Sequence, residues 1–199
     1  MPNWTYNSCE ITGNVDDVKA FMDTITEQVT IASDGNHEVM YNFTNCMPMP
    51  DEYNNMHEGA MTIDEVREDV WYSDEDGVRP VLDMVKDRLK KEYGTYKPIE
   101  WQYRHWGTKW GDSNTELISD VITKGNRELH FRFESAWSEP FFLLNHIANM
   151  FNLTIVNTWD IELGNGDGTT HYPWDDDFLN RSIEEYNKMF ESLNDITFE

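Results

Sequence analysis

Basic residues are scarce in this chain. Its 199 residues include 15 Lys and Arg against 38 Asp and Glu, a formal net charge of −23 at pH 7. A nucleic-acid reader needs a basic stripe to neutralise phosphates, and the sequence has none. Direct nucleic-acid binding is therefore not expected. Cysteine is equally sparse. Cys9 and Cys46 are the only two, and both fall in strand-like segments, so no disulfide framework is indicated. They read as reduced, buried thiols of a cytosolic protein. No apolar run approaches the roughly 18 residues of a membrane span. The opening Met1-Pro2-Asn3-Trp4 has neither the basic nor the apolar region of a secretory signal. Neither membrane association nor export is expected.

Chemical signatures are missing too. No Ser or Cys sits in a nucleophile elbow, and His105, His130 and His146 belong to no paired motif. His37-Glu38 and His57-Glu58 lack the second His of a zinc-binding helix. Asp74, Asp76 and Gly77 mimic the middle of a calcium loop, but Tyr72 and Asp83 occupy its first and last positions. No Gly-rich loop with a following Lys and Ser or Thr is present to cradle phosphate. No catalytic residue, metal or cofactor is expected.

What is abundant is aromatic: 14% of the residues are Phe, Trp or Tyr, with eight Trp. Acidic disordered tails are poor in aromatics because they cannot bury enough apolar surface to offset chain entropy. This charge therefore rides on a packed body. It exceeds the roughly 2–8 units that solubility requires in a small domain. Salt adaptation or solubility is one reading; a functional acidic surface is the other.

Periodicity sets out the elements. Residues 5–12 read as a strand, and Asn14 caps a helix over 15–28 whose apolar face is Val18, Phe21, Met22 and Ile25. Asp34-Gly35-Asn36 is a turn into a strand over 37–44, with Val39, Tyr41 and Phe43 on one face. Residues 51–97 read as a helical insertion. Thr62 and Glu65 form a capping box, and Pro80 opens a second helix ending at Lys90, Lys91 and Gly94. Ile99, Trp101, Tyr103 and His105 alternate as a strand. Residues 115–123 and 128–135 flank the hairpin signal Lys124-Gly125-Asn126. Ser138 caps a helix with Phe141, Leu144, Ile147, Ala148 and Phe151 on its face. A strand over 153–163, a loop over 164–170 and an acidic helix over about 175–195 complete the chain. Strand–helix–strand units around 5–44 and 128–163 predict a single α+β domain spanning 1–199: a ferredoxin-like antiparallel sheet with its helices on one face, plus the insertion and the C-terminal helix.

Four short stretches carry a family resemblance. They are Pro2-Asn3-Trp4, Asn42-Phe43 running to Pro48-Met49-Pro50, Trp106-Gly107-Thr108-Lys109-Trp110, and Ala136-Trp137-Ser138 with Pro140. Their order and spacing resemble the ferredoxin-like phage and plasmid proteins of the YubB and Api type, over most of residues 1–163. The resemblance implies a ferredoxin-like fold and a setting among genes that counter bacterial defences. It brings no reaction and no catalytic residues. The acidic insertion and the acidic C-terminal helix depart from it.

Two groups of residues are candidate sites. Trp106, Lys109, Trp110 and Trp137 have the composition of a flat-walled pocket, in which Lys109 holds an anion or stacks on a ring. Alternatively, the tryptophans fill the open face of the sheet and fix the Gly107 turn. Glu65, Glu68 and Asp69, then Asp175, Asp176, Asp177, Glu184, Glu185 and Glu191, lie opposite the apolar helix faces as rows of negative charge. DNA carries one charge per roughly 1.7 Å of axis, and such rows approximate it. The expectation is a non-enzymatic bacteriophage anti-defence protein of the host cytoplasm. It would inhibit a bacterial DNA-binding or DNA-modifying factor, or a toxin, by offering that factor's basic surface a DNA-like acidic one. A binder of a nucleotide signal, or an enzyme, using the tryptophan pocket is the alternative; a passive assembly protein is a third.

Overall fold

The computed structural model describes residues 3–30, 37–58 and 70–194. Strand β1 (Trp4–Asn14) buries Thr5, Asn7, Cys9 and Ile11 on one face, the period-2 pattern of a sheet covered on one side. Asn14 then starts helix α1 (Val15–Ile25), its side chain accepting the Asp17 N–H at 2.9 Å as the sequence predicts. Val18, Phe21 and Ile25 are buried. The helix stops short of residue 28 because Thr26 turns extended and opens strand β2 (Thr26–Thr30).

Strand β2 pairs with β3 (His37–Tyr41) as a separate two-stranded ribbon. This corrects the expectation that 37–44 enters the main sheet. Phe43–Cys46 forms a 3-10 turn instead. The N–H groups of Phe43 and Thr44 are taken by the Asp112 carboxylate at 3.0–3.2 Å, so they are not available to a ladder.

Among its described residues the insertion is mixed rather than helical. A 3-10 turn at Asp51–Tyr53 leads to a three-stranded meander of β4 (Met56–Glu58), β5 (Val70–Asp74) and β6 (Gly77–Pro80). The Thr62–Glu65 capping box lies outside the described residues. Pro80 closes β6, and helix α2 (Asp83–Tyr93) begins after it, ending as predicted at a left-handed Gly94 behind Lys90 and Lys91. The segment read as a strand around Ile99–His105 is helix α3 (Pro98–Trp106). Pro98 suits its first turn, and His105 stacks on Trp101 one turn back, with ring centroids 4.1 Å apart.

The main sheet comes from β1 and the C-terminal half. Strand β7 (Lys109–Thr123) turns at Lys124-Gly125, both at positive φ, into β8 (Asn126–Ala136). Helix α4 (Phe141–Met150), strands β9 (Thr154–Ile161) and β10 (Gly166–Tyr172), and helix α5 (Asp176–Asn194) follow. The segment read as a loop over 164–170 is largely β10, paired with β9 from Gly166↔Ile161 to Tyr172↔Ile155. The order is β10-β9-β1-β8-β7, antiparallel throughout. Without β10, the strands run fourth, first, third, second: the ferredoxin-like arrangement, with β7 in the place expected of 37–44. Helices α1 and α4 lie on the same face. Phe21 of α1 meets Phe131 of β8 and Phe151 at the end of α4, and Leu144 and Ile147 of α4 share that core. Among the described residues, no helix is long and apolar enough to cross a membrane.

Candidate functional site

The stretches that carry the family resemblance converge at one end of the sheet. Trp4 and Lys109 both stand opposite Ala136 in the strand register. The Thr108 hydroxyl donates to the Ala136 carbonyl, and the Ser138 hydroxyl donates to the Gly107 carbonyl at 2.9 Å. The Trp137 N–H reaches Asn3 O at 2.8 Å, and the Trp106 indole N–H reaches Met47 O at 2.9 Å. The glycines of this junction are conformationally required. Gly107 ends α3 at φ +81, and a side-chain carbon there would sit 3.0 Å from the Phe141 ring; at Gly111, φ +66, it would meet Thr44 at 2.2 Å.

The junction divides the predicted tryptophan group. Trp106 is 5% exposed and packs edge-on against Trp101, so it belongs to the core. Trp110 and Trp137 are 47% and 46% exposed. Both hold φ near +70°, a conformation that is uncommon for bulky residues and that persists only where surroundings impose it. Lys109 Nζ stands 4.5 Å over the Trp110 ring, and Trp4 lies 6.3 Å from Trp110. Exposed tryptophans held in fixed conformations are the residue type that anchors protein–protein contacts.

Of the predicted acidic surface, Asp175, Asp176, Asp177, Glu184 and Glu185 are exposed at or on α5. Asp175 also caps the helix by accepting the Phe178 N–H at 2.8 Å. Arg181 and Lys188 interrupt the row. Glu65, Glu68 and Asp69 lie outside the described residues, as does the side chain of Glu191.

The uncovered face of the main sheet adds carboxylates that the sequence reading missed. Opposite the buried positions of β1, Tyr6 and Glu10 point away from the helices. The adjoining strands place Glu134 and Asp160 beside Tyr6, and Asp167 beside Asp160. Two aspartates directly opposite each other on neighbouring strands repel. Glu116 joins this face against Arg132, and Glu128 lies further along β8 opposite Thr12 and Val121. The signal was present in the alternation of β1 and β8, but the pairing that collects these residues is visible only in the sheet.

A second unanticipated feature lies on the helix side. Glu139, just before α4, is only 8% exposed. Its carboxylate accepts from Asn157 Nδ2 at 2.8 Å and from the Thr170 hydroxyl, and Asn157 Nδ2 also reaches Asn7 Oδ1 at 3.0 Å. Burial pushes the Glu139 pKa up, against those hydrogen bonds. The Tyr172 hydroxyl is buried and close enough to feel the Glu139 charge. Burial first and that carboxylate second push its pKa up, yet it forms no hydrogen bond of good geometry. A cavity of about 440 Å³ opens over Glu139 and Thr170, walled by Phe141, Trp174 and Phe178, with Ser182 and Glu185 of α5 along it. Glu139 was hidden in the sequence because β10, which supplies Thr170 and Tyr172, reads there as loop.

The two thiols are inert. Burial, helped by Glu139, pushes the Cys9 thiol far up, and burial with Asp112 pushes Cys46 up to about 12.

The fold and its junction define an α+β protein of ferredoxin-like class. Residues 105–197 match the family described as the ferredoxin-like domain in Api92-like protein. The matched stretch supplies β7 to β10, α4 and α5, while β1 at the centre of the sheet comes from outside it. No curated protein and no solved structure gives a match.

Proposed function

We propose that this chain is a non-enzymatic bacteriophage anti-defence protein that binds a basic surface of a bacterial host protein in the cytoplasm. The partner class is a DNA-binding or DNA-modifying defence factor or toxin, occupied where it would hold DNA. The observation that carries the reading is the uncovered sheet face. Asp167, Asp160 and Glu134 lie in one row across four strands, with Tyr6 among them. Strands are spaced roughly 4.8 Å apart, so the row lines up negative charge within reach of one basic surface. The exposed Trp110 and Trp137 border that row at the Trp4 end of the sheet and provide apolar anchors beside the charges. The acidic residues of α5 extend the negative field that steers a cationic partner. The resemblance to phage and plasmid proteins supports the setting.

The test is competition. A partner captured from bacterial lysate at low salt should release DNA when this protein is added, and its affinity should fall steeply with salt because exposed charges are screened over about 8 Å at physiological ionic strength. Asp160→Lys with Asp167→Lys should cut affinity at least tenfold while thermal melting shows an intact fold. Simultaneous binding of DNA and this protein to the partner, with neither affinity reduced, would overturn the reading.

A further inference from the structure

The cavity over Glu139 is a built site with an unfilled requirement. A buried ionised carboxylate is costly unless it is paired with a cation, and among the described residues Glu139 has none. Asn157 and Thr170 donate hydrogen bonds to the carboxylate, and the Tyr172 and Trp159 donors stand close enough to support it, but none of these neutral groups supplies a countercharge. The Tyr172 hydroxyl beside it is buried and unpartnered, as is Asn157 Oδ1. The walls are aromatic: Trp174 stacks on Phe141 at 5.9 Å and meets Phe178 edge-on at 4.9 Å. This donor set does not suit a hard metal ion, which takes several oxygen ligands. It suits an organic cation, whose charge neutralises Glu139 while its flat or apolar part lies on the rings. The chain illustrates the chemistry at the rim, where the Arg181 guanidinium stands 6.0 Å over the Phe178 ring. The volume of about 440 Å³ is within the range of small-ligand sites.

We infer that this cavity binds a guanidinium-bearing ligand, with Glu139 as the counter-charge and Phe178 as the aromatic wall. The planar guanidinium presents several N–H donors in a fixed fork, which matches a planar carboxylate better than a compact ammonium does. The source is either a free small molecule or an arginine side chain of a partner, and the same chemistry serves both.

Isothermal titration of the full chain with agmatine separates the outcomes. One saturable site is expected, at least tenfold tighter than for the neutral analogue N-butylurea. Glu139→Gln should weaken agmatine by tenfold or more, and Phe178→Ala by several-fold. If Glu139→Gln fails to fold, Phe178→Ala and the pH profile still decide: agmatine affinity should drop as acidification protonates Glu139. Agmatine binding tighter than that of a short Gly-Arg-Gly peptide identifies a free ligand; the reverse order identifies a partner's arginine. Absence of saturable binding by either, or binding unchanged in Glu139→Gln, overturns the site, since the surface carboxylates alone would then account for any heat.

Discussion

Glu139 stores a pH dependence that, among the described carboxylates, only the buried Asp112 shares in direction. Its folded-state pKa is raised above the ordinary 4.5 by burial. The stability contributed by its protonated form is present below that ordinary value and is lost as pH rises through the folded value. Glutamine keeps the shape and never carries the charge. Glu139→Gln should therefore match wild type in urea midpoint near pH 4 and exceed it at pH 7.5, in the absence of ligand. A midpoint lower than wild type at pH 7.5 would show that the charged form is satisfied by groups other than those named. Sequence alone marked Glu139 only as the acidic residue between Ser138 and Pro140. Burial, the property that matters, depends on Asn157 and Thr170, far along the chain.

At the scale of elements, the sequence was most legible where one local rule acted alone. The Asn14 cap, the Lys124-Gly125 turn and the Gly94 stop all follow from backbone requirements of a few residues. It was least legible where two periods competed. Ile99, Trp101, Tyr103 and His105 alternate like a strand, yet Trp101 and His105 are also one helical turn apart, and Pro98 decides for the helix. Gly166 and Gly168 made β10 read as loop, although Gly168 is needed where the Trp159 ring would stand 2.8 Å from a side-chain carbon. The tryptophan motif was legible as a group but not in its division between the end of α3 and the start of β7. That division predicts opposite variants. Trp106→Ala should cost roughly 3–5 kcal/mol, because it empties core and orphans the Met47 carbonyl. Trp110→Ala should cost about 1 kcal/mol or less and appear in partner affinity instead. Denaturation midpoints and capture assays on the two variants check the contrast; equal loss of stability would place Trp110 in the core as well.

For the whole molecule, a net charge of −23 is a standing repulsion that works against compactness. Counterions relieve it. The melting temperature should climb as NaCl rises from about 10 mM to 300 mM and then level off as the Debye length shrinks to several ångströms. A flat melting temperature would mean that the acidic groups are spaced too widely to interact. The sheet order has a different consequence, which concerns synthesis. β1 lies at the middle of the sheet, yet its partners are β8 and β9, ending at Ile161. β1 leaves the ribosome well before β8 and β9 and must wait for both. At roughly 5–20 residues per second, that delay is on the order of 10–30 s. Until then the alternating apolar positions of β1 are unpaired, and β8 and β9 have nothing between them. The sheet consequently closes late, when an early segment of the nascent chain is threaded between two that are made long after it.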